Sequence, residues 1–498
     1  MVMSQEIDAY LRDEIGTLDK EAPESVALVY PSPYRVAMSS LGFQTIYRTV
    51  NAEPGMAAHR AFLPDDVDAW RKARAPLVTY ERKRPISDYS VLAFSVAYEA
   101  ELAGVIQTLE LAGLPPLAED RTTHHPLILA GGPLTFSNPL PLAPFVDAIV
   151  MGEADQSVLR VLRTVYDSDT RDSALRTLAA EPHVFVPSAQ GDILPPVDKA
   201  DDRQLPAYSQ IITPHTELRN MFLVEPERGC HRGCTYCVMR RSTNDGMRLV
   251  EKDRVLALVP EEARRVGLVG AATTDHPQIT DIVNALADSG REVGLSSLRA
   301  DRLNDSLVAA LGRGGHRVLT TASDGASQRM RDVIQRRTSE AQLRNAATLA
   351  RKHGMKRLKL YLMVGLPTET DDDIDEMVAF SRELSAIIPV SLGVAPFVAK
   401  RNTPLDGEGF AGIDVVDTKL KRLRRGVKGR VDVRATSARW AWVEYVLAQG
   451  GRAEGRAVLD AVHAGGRFAD WRRAFEALPP SRPKRQLVRP GNRRGRAV

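Results

Sequence analysis

Short apolar segments alternate with amphipathic segments over the first third of the chain. The apolar runs lie at residues 26–30, 61–63, 90–96, 126–133 and 147–155. Helical spacing of apolar positions marks residues 42–50 and 100–114. Apolar runs of this length, separated by helices, are typical of parallel strands that are buried on both faces. This region therefore predicts an α/β domain with a parallel sheet, over residues 26–180.

The carboxyl ends of these predicted strands are rich in Gly, Pro, Ser and Asn. Ligands of open α/β sheets bind outside the carboxyl ends of the strands, so this edge is a candidate binding edge. Gly131 and Gly132 follow one such strand and are candidate ligand contacts. A tight turn with no ligand explains this Gly-Gly pair equally well.

A second alternating series follows a break in the pattern. Residues 181–217 predict a hairpin, H-V-F-V-P-S-A-Q-G-D-I-L-P-P-V-D, and a polar linker. Six strand candidates then occur between residues 218 and 405, which fits a (β/α)6 partial TIM barrel at least as well as an open sheet. The remaining parts are an N-terminal helix (1–25), a mostly helical C-terminal region (406–476) and a basic tail (477–498). We expect a Rossmann-like parallel sheet domain followed by the partial barrel.

The composition mainly argues against certain classes of protein. Of 498 residues, 43% are hydrophobic and 26% charged, and no apolar run approaches the roughly 20 residues that a bilayer span needs. The first residues carry no basic segment followed by an apolar one, so we expect no secretory signal. Much of the net charge of +4 lies in the Arg-rich tail, which we expect to be disordered and solvated rather than bound to nucleic acid. We expect a cytoplasmic protein without a membrane partner.

All three cysteines of the chain lie within E-R-G-C-H-R-G-C-T-Y-C, at Cys230, Cys234 and Cys237. An odd, clustered set argues against disulfides and for a reducing compartment. Structural zinc normally takes four ligands, and His231 is poorly placed to complete a tetrahedron beside Cys230. Isolated thiols do not need this spacing. An iron–sulfur cluster held by three thiolates leaves one iron open to a ligand.

The C-x3-C-x2-C spacing, with the aromatic Tyr236 before the last cysteine, resembles the signature of the radical S-adenosylmethionine (SAM) enzymes. The resemblance implies that the three cysteines hold a 4Fe-4S cluster whose fourth iron binds SAM. It also implies reductive cleavage of SAM to a 5′-deoxyadenosyl radical, and an external reductant of the flavodoxin or ferredoxin type. Tyr236 is then a candidate cofactor contact.

Further stretches resemble the radical SAM group that carries an N-terminal cobalamin-binding domain. They are G-L-V-G-A-A-T-T-D-H-P, S-S-L-R-A-D-R-L, Y-L-M-V-G-L-P-T-E-T and A-P-F-V-A-K-R-N-T-P. By this resemblance Ser297 and Arg299 contact the carboxylate or ribose of SAM, and Gly365 and Pro367 shape the adenine side. A surface ion pair of Arg299 with Asp301 and a structural turn at Gly365 are the alternatives.

Two positions depart from that group. Relatives usually carry A-P-E after the fourth barrel strand, whereas this chain carries Ala322-Ser323-Asp324. Asp324 keeps the charge that would pair with the SAM amino group but shortens the reach, so the contact becomes closer or water-mediated. The D-x-H-x-x-G motif that supplies a histidine below cobalt is absent from the sequence. The N-terminal domain therefore either holds the corrin without a protein ligand or keeps only the fold.

The cysteine count narrows the function. Methylthiotransferases and enzymes with auxiliary clusters need further cysteines, which this chain lacks. We expect a single-cluster radical SAM enzyme that uses cobalamin to methylate an unactivated carbon of an organic substrate that the sequence does not identify. The alternatives are a cobalamin-independent radical rearrangement, cyclisation or oxidation, and a non-catalytic protein that senses through its cluster and SAM.

Overall fold

The computed structural model describes residues 2–239, 246–295 and 298–479. After helix α1 (Val2–Asp13), six strands form the N-terminal sheet. These are β1 (Glu24–Tyr30), β2 (Met56–Phe62), β3 (Val91–Ser95), β4 (Leu127–Gly131), β5 (Ala148–Val150) and β6 (Val184–Phe185). Their order is β2-β1-β3-β4-β5-β6, and the first five are parallel. The predicted Rossmann-like sheet is confirmed.

Helices cover both faces of this sheet, as the apolar runs predicted. The helices are α2 (Tyr34–Ala37), α3 (Leu41–Ala52), α4 (Val67–Ala73), α5 (Glu101–Leu111), α6 (Ser157–Tyr166), α7 (Arg171–Ala180) and α8 (Pro187–Gln190). Leu28 and Val150 lie on the face that packs against α3 and α6, while Val29 and Ile149 lie on the face that packs against α5. Because β1 connects outward to β2 and the chain then returns to β3, the strand order reverses between β1 and β3. Such a reversal is where open α/β sheets bind ligands.

The hairpin predicted for residues 183–198 does not form. Val184 and Phe185 instead pair antiparallel with Ile149 and Val150 of β5, and the next residues form the helical turn α8. The apolar residues Val184 and Phe185 are buried by pairing with the edge of the sheet, which the Pro-rich segment that follows them cannot provide. The antiparallel edge strand was therefore misread as half of a local hairpin.

The second half of the chain contains a series of parallel strands in chain order. They are β7 (Met221–Val224), β10 (Arg265–Leu268), β11 (Glu292–Leu295), β12 (Val318–Asp324), β13 (Arg357–Val364), β14 (Val390–Pro396) and β15 (Val431–Ala435). The first three form one sheet and the last four another, and an isolated parallel bridge between Leu298 and Thr321 joins them. A small antiparallel hairpin, β8 (Glu227–Gly229) and β9 (Met247–Leu249), follows β7. All six predicted strands occur; β15 was missed because its exposed charges hide the strand pattern.

Helices cover the outer face of these strands. They are α9 (Lys252–Ala257), α10 (Ile279–Asp288), α11 (Asp305–Arg313), α12 (Gln328–Val333), α13 (Glu340–Lys352), α14 (Asp371–Ile387) and α15 (Ile413–Gly426). Strand β13 shows the two faces clearly, since Leu358, Leu360 and Leu362 are buried against the helices while Lys359 and Tyr361 point to the inner side. The α/β partial barrel is thereby confirmed, with its core between strands and helices.

The C-terminal helices return to the N-terminal sheet. They are α16 (Ala438–Gln449), α17 (Arg452–His463) and α18 (Phe468–Glu476). Leu447 and Trp471 belong to the same apolar cluster as Leu102 of α5. Asn138 Nδ2 donates to the carbonyl oxygen of Leu447 at 2.9 Å, at the end of α16. Among the described residues, none of the helices combines the length and apolarity that a membrane span requires.

Candidate functional site

The cysteine loop begins directly after strand β8. Gly229, at φ 107, turns the chain out of the hairpin, a conformation that favours glycine. Cys230 and Cys237 are partly exposed and Cys234 is buried. The backbone N–H of Thr235 donates to the carbonyl of Ile334 at 3.1 Å, so the end of α12 holds the loop. The loop therefore presents three thiols from a braced backbone.

The three thiols lie close enough to influence one another. Burial raises the pKa of the Cys237 thiol to about 11, and the neighbouring Cys234 and Cys230 add to the shift. Burial also raises the pKa of Cys230. Within the described ranges, no three Cys, His, Asp or Glu side chains converge on a point that suits one metal ion. A cubane cluster does not need such convergence, because each thiolate binds a different iron.

Tyr236 and Asp324 meet across the site. The Tyr236 hydroxyl donates to Asp324 Oδ2 at 2.6 Å, and Arg336 Nε lies 2.7 Å from the same oxygen. Burial and the adjacent carboxylate raise the pKa of Tyr236 far above its usual range. Asp324 has φ 60, in the left-handed region, at a register shift in β12. Arg336 was not predicted, because only the fold of α12 brings it to the end of β12.

Arg299 lies in a buried charge cluster rather than on the surface. Its Nη2 is 3.0 Å from Asp301 Oδ1, so the predicted ion pair exists, but the Arg299 side chain is only 7% exposed. Asp275 lies at the centre of the cluster, bound by Arg232 at 2.6 Å and Arg302 at 2.9 Å. Burial opposes the charge of Asp275, yet the hydrogen bond from Arg232 and nearby cations lower its pKa. Arg299 Nε and Nη2 find no well-aligned acceptor in the described part of the chain.

Glu227 is a buried acid three residues before the first cysteine. Its side chain is fully covered, Oε1 accepts from the Ala272 N–H at 2.8 Å, and Oε2 has no hydrogen-bond partner among the described residues. Burial raises its pKa to about 8, and the nearby Glu225 and Asp275 contribute. A Cβ at Gly270 would lie 2.2 Å from Glu227 Oε1, so glycine leaves room for this acid. Glu227 was not among the predicted site residues, although its position in E-R-G-C, just before the first cysteine, could have indicated it.

The turn after β13 contains two predicted adenine-side residues. Gly365 has φ 80, and its N–H donates to Glu369 Oε2 at 2.6 Å. The Glu369 carboxylate is also 3.1 Å from Lys419. Pro367 is partly exposed in the same turn. The structural turn is therefore present, while the adenine contact stays a prediction; Ser297 lies outside the described residues.

A cavity of about 420 Å³ lies between the N-terminal sheet and the cysteine loop. Its walls come from strand ends β1, β3, β4 and β5, from α3 and α6, and from Arg228, Val238 and Met239 around the cysteines. Gly131 and Gly132 both line it. A Cβ at Gly132 would lie 2.7 Å from the Val96 carbonyl oxygen, so this backbone needs glycine. None of the lining residues in the described ranges is a histidine.

Ion pairs tie the wall of this cavity to the cysteine hairpin. Arg228, in β8, contacts Glu225 at 2.8 Å and both Glu153 and Asp155 at 3.2 Å. Arg248, in β9, also binds Glu153. Both strands of the hairpin are therefore anchored to the loop after β5. No local pattern in the sequence indicates this link, since its members are up to 95 residues apart.

Two family profiles match the chain. Residues 42–187 match the N-terminal region of radical SAM proteins, and residues 224–381 match the radical SAM superfamily. An uncharacterised protein of Methanocaldococcus jannaschii is 27% identical over 400 residues, covering 78% of this chain and 80% of that protein. An uncharacterised methyltransferase of Pyrococcus horikoshii is 20% identical over 270 residues, covering 52% of this chain and 58% of that protein.

Solved structures share the fold. The radical SAM methyltransferase TsrM of Kitasatospora setae superposes with a TM-score of 0.56 at 13% identity, covering 79% of this chain and 76% of that one. The cobalamin-dependent radical SAM enzyme OxsB superposes with a TM-score of 0.51 at 12% identity, covering 82% of this chain and 58% of that one. The cysteine motif, the two profiles and the shared fold lead to one assignment: this chain is an enzyme of the radical SAM superfamily.

Proposed function

We propose that this enzyme holds one 4Fe-4S cluster, binds SAM and cobalamin, and methylates an unactivated carbon of an organic substrate. Cys230, Cys234 and Cys237 are the cluster ligands. They form a three-thiolate set in a braced loop, which suits a cluster with one open iron. When bound, the cluster supplies the electron for SAM cleavage and the corrin carries the methyl group. The electron enters from an external reductant of the flavodoxin or ferredoxin type.

The charged residues beside the cysteines orient SAM. Asp324 carries a carboxylate that can receive the SAM amino group, with Tyr236 and Arg336 holding it in place. Arg299 offers guanidinium N–H groups that lack a well-aligned acceptor, which suits the SAM carboxylate. Ser297 is a further candidate contact from the sequence. Gly365 and Pro367 shape the adenine side of the same pocket.

The observation that carries the cobalamin assignment is the position of the 420 Å³ cavity. It lies at the reversal point of the N-terminal sheet and reaches the cysteine loop, where a methyl carrier must meet SAM. Its walls are largely apolar, and glycine at 131 and 132 allows close backbone approach to a large planar ligand. Its volume falls in the range of about 300–1,000 Å³ that is usual for cofactor pockets.

The similar proteins support the same reaction class. The TsrM structure holds tryptophan as substrate together with a SAM analogue, and the OxsB structure holds aqua-cobalamin. The relative from Pyrococcus horikoshii is named a methyltransferase. This likeness supports methyl transfer with cobalamin over the alternative radical reactions, whereas a sensor without turnover has no support from these relatives.

The lower axial position of cobalt tests the proposal. Because no histidine lines the described part of the cavity, a corrin held there would have no protein imidazole as a cobalt ligand. If its own dimethylbenzimidazole is also displaced, the electron paramagnetic resonance spectrum of cob(II)alamin would lack nitrogen superhyperfine splitting. The full-length protein, reconstituted anaerobically, should bind hydroxocobalamin in a one-to-one complex. Failure to bind it at micromolar concentrations would overturn the proposal in favour of a cobalamin-independent radical reaction, whereas nitrogen splitting in the spectrum would overturn only the base-off form of the bound cofactor.

A further inference from the structure

The inner face of strands β12–β15 is only partly covered, although parallel sheets are normally covered on both sides: Ser391 is buried there, whereas Tyr361 is exposed. On β13 every second residue is buried against the outer helices, while Lys359, Tyr361 and Met363 alternate with them on the inner side. We call this inner side the lumen face. The strand register places the following side chains on it: Thr320, Ala322, Arg357, Lys359, Tyr361, Met363, Ser391, Gly393, Ala395, Asp432 and Arg434.

An exposed tyrosine stands in the middle of the lumen face. Tyr361 is 40% exposed, which is unusual for an aromatic residue at the centre of a parallel strand. Its ring leans across Gly393 of the neighbouring strand, where an added Cβ would lie 2.6 Å from the ring. Glycine at 393 therefore makes room for the ring in this position. The arrangement gives the lumen face a partly exposed aromatic surface.

The charge on the lumen face is positive. Lys359 Nζ lies over the Tyr361 ring, 4.6 Å from its centre, as a cation–π pair. Of the described residues, none places a carboxylate within ion-pair distance of Lys359. Arg357 and Arg434 share the single carboxylate of Asp432, at 3.5 Å and 2.9 Å. Three cations and one anion leave a surplus of positive charge, with Lys359 as the cation that has no anionic partner in the part of the chain that the structure describes.

We propose that the lumen face binds the substrate of this enzyme and that the substrate is an organic acid. Its carboxylate pairs with Lys359, and an apolar or planar part next to the acid contacts Tyr361. This inference rests on the proposed function, because it takes the space enclosed by the partial barrel as the place where the radical meets its target. It adds the chemical class that the cysteine motif does not give.

The test uses a matched pair of small probes, 3-phenylpropanoate and its neutral amide, titrated into the full-length protein and followed by ligand-observed NMR. The acid should bind about tenfold more tightly than the amide, as for a hydrogen bond to a charged group. Lys359→Gln should lower the affinity for the acid to that for the amide. Tyr361→Ala should weaken both probes by a similar factor, and Tyr361→Phe should restore both.

The control is Lys356→Gln, which removes an exposed lysine just before the same strand and should leave the preference intact. Equal affinity of the two probes for the wild type, persistence of the preference in Lys359→Gln, or no binding of either probe at millimolar concentration would overturn the inference. Formation of 5′-deoxyadenosine is measured on the same preparations. If the wild type cleaves SAM but does not prefer the acid over the amide, only the organic-acid inference is wrong. If the wild type does not cleave SAM at all, the proposed function is wrong.

Discussion

The carboxyl ends of the two parallel sheets face each other but differ in chemistry. The end of the N-terminal sheet is lined by small and apolar residues such as Ala93, Leu129 and Gly131. The end of the barrel sheet is crowded with charges, including Asp275, Arg299 and Asp324. The topology is similar at both edges, so the difference comes from the side chains at the strand ends. The two edges are therefore suited to different ligands.

An apolar edge selects a ligand by shape and by close backbone approach, which suits a corrin. A charged edge selects by charge, but its groups are already paired with one another. A zwitterionic ligand such as SAM must then join or replace existing ion pairs, and leaving one partner unpaired in a buried site is costly. The variants below separate these two modes, since each should damage one edge and spare the other.

The largest effect is expected from Cys234→Ala. Removing the buried thiol takes away one of three cluster ligands, so the iron content should fall from about four per chain to near zero and 5′-deoxyadenosine should not form. Cobalamin binding should persist, because the apolar edge is intact. Iron analysis and chromatography of the products measure both, with Thr235→Ser as the control inside the same loop. Full iron content in Cys234→Ala would contradict the ligand assignment.

Asp324→Asn should damage the charged edge next. Asparagine tolerates the left-handed backbone at this position, so the fold should be kept, but Arg336 loses its charge partner and SAM loses a carboxylate. SAM binding should weaken by about 1.5–3 kcal/mol, with iron and cobalamin content unchanged. Equilibrium dialysis with labelled SAM measures the change, and Asp332→Asn, at an exposed position of α12, is the control. An unchanged Kd would assign the amino group to another acid.

Gly42→Phe should damage the apolar edge alone. Gly42 lines the cavity, and a Cβ there meets no atom within 4 Å, so the new ring can enter the cavity without backbone strain. Cobalamin affinity should fall by about 1–3 kcal/mol through overpacking, while iron content and SAM cleavage stay. Absorbance titration with hydroxocobalamin measures it. Gly409→Phe adds the same ring at an exposed glycine elsewhere, and an equal loss there would show a nonspecific effect.

The sequence predicted the scaffold better than the site. The strands β1, β3, β10 and β13 were readable because a fully buried parallel strand is a continuous or alternating apolar run between helices. Strand β15 was not, since Asp432 and Arg434 point into the open lumen and break the apolar pattern. Strand β6 was misread because its partner, β5, lies more than thirty residues earlier.

The parts of the candidate site that lie close together in the sequence could be predicted from it. The three cysteines and Tyr236 lie within one loop, so their grouping follows from the sequence. Arg228 pairs with Glu153, 75 residues earlier. Arg336 reaches Asp324 only after the chain has passed through α12, so no local pattern marks either arginine. The sequence also does not show which charged side chains are buried. The sequence leaves Arg299 open between a SAM contact and a surface ion pair, and only the packing of the strand ends shows it enclosed with Asp301.

The last expected effect sharpens the contrast by measuring, per pH unit, what the charged edge costs the fold. Burial raises the pKa of Glu227 to about 8, against 4.5 for the free side chain. Between these values the folded chain keeps a proton that the unfolded chain releases, so stability is greatest below pH 4.5 and falls as the pH rises through 8. The loss is at most about 1.4 kcal/mol per pH unit. Glu227→Gln keeps the acceptor for the Ala272 N–H and stays neutral, so its denaturant midpoint should fall less over this range than that of the wild type. The exposed Glu261→Gln should follow the wild type, and parallel profiles for all three proteins would show that Glu227 carries no such penalty.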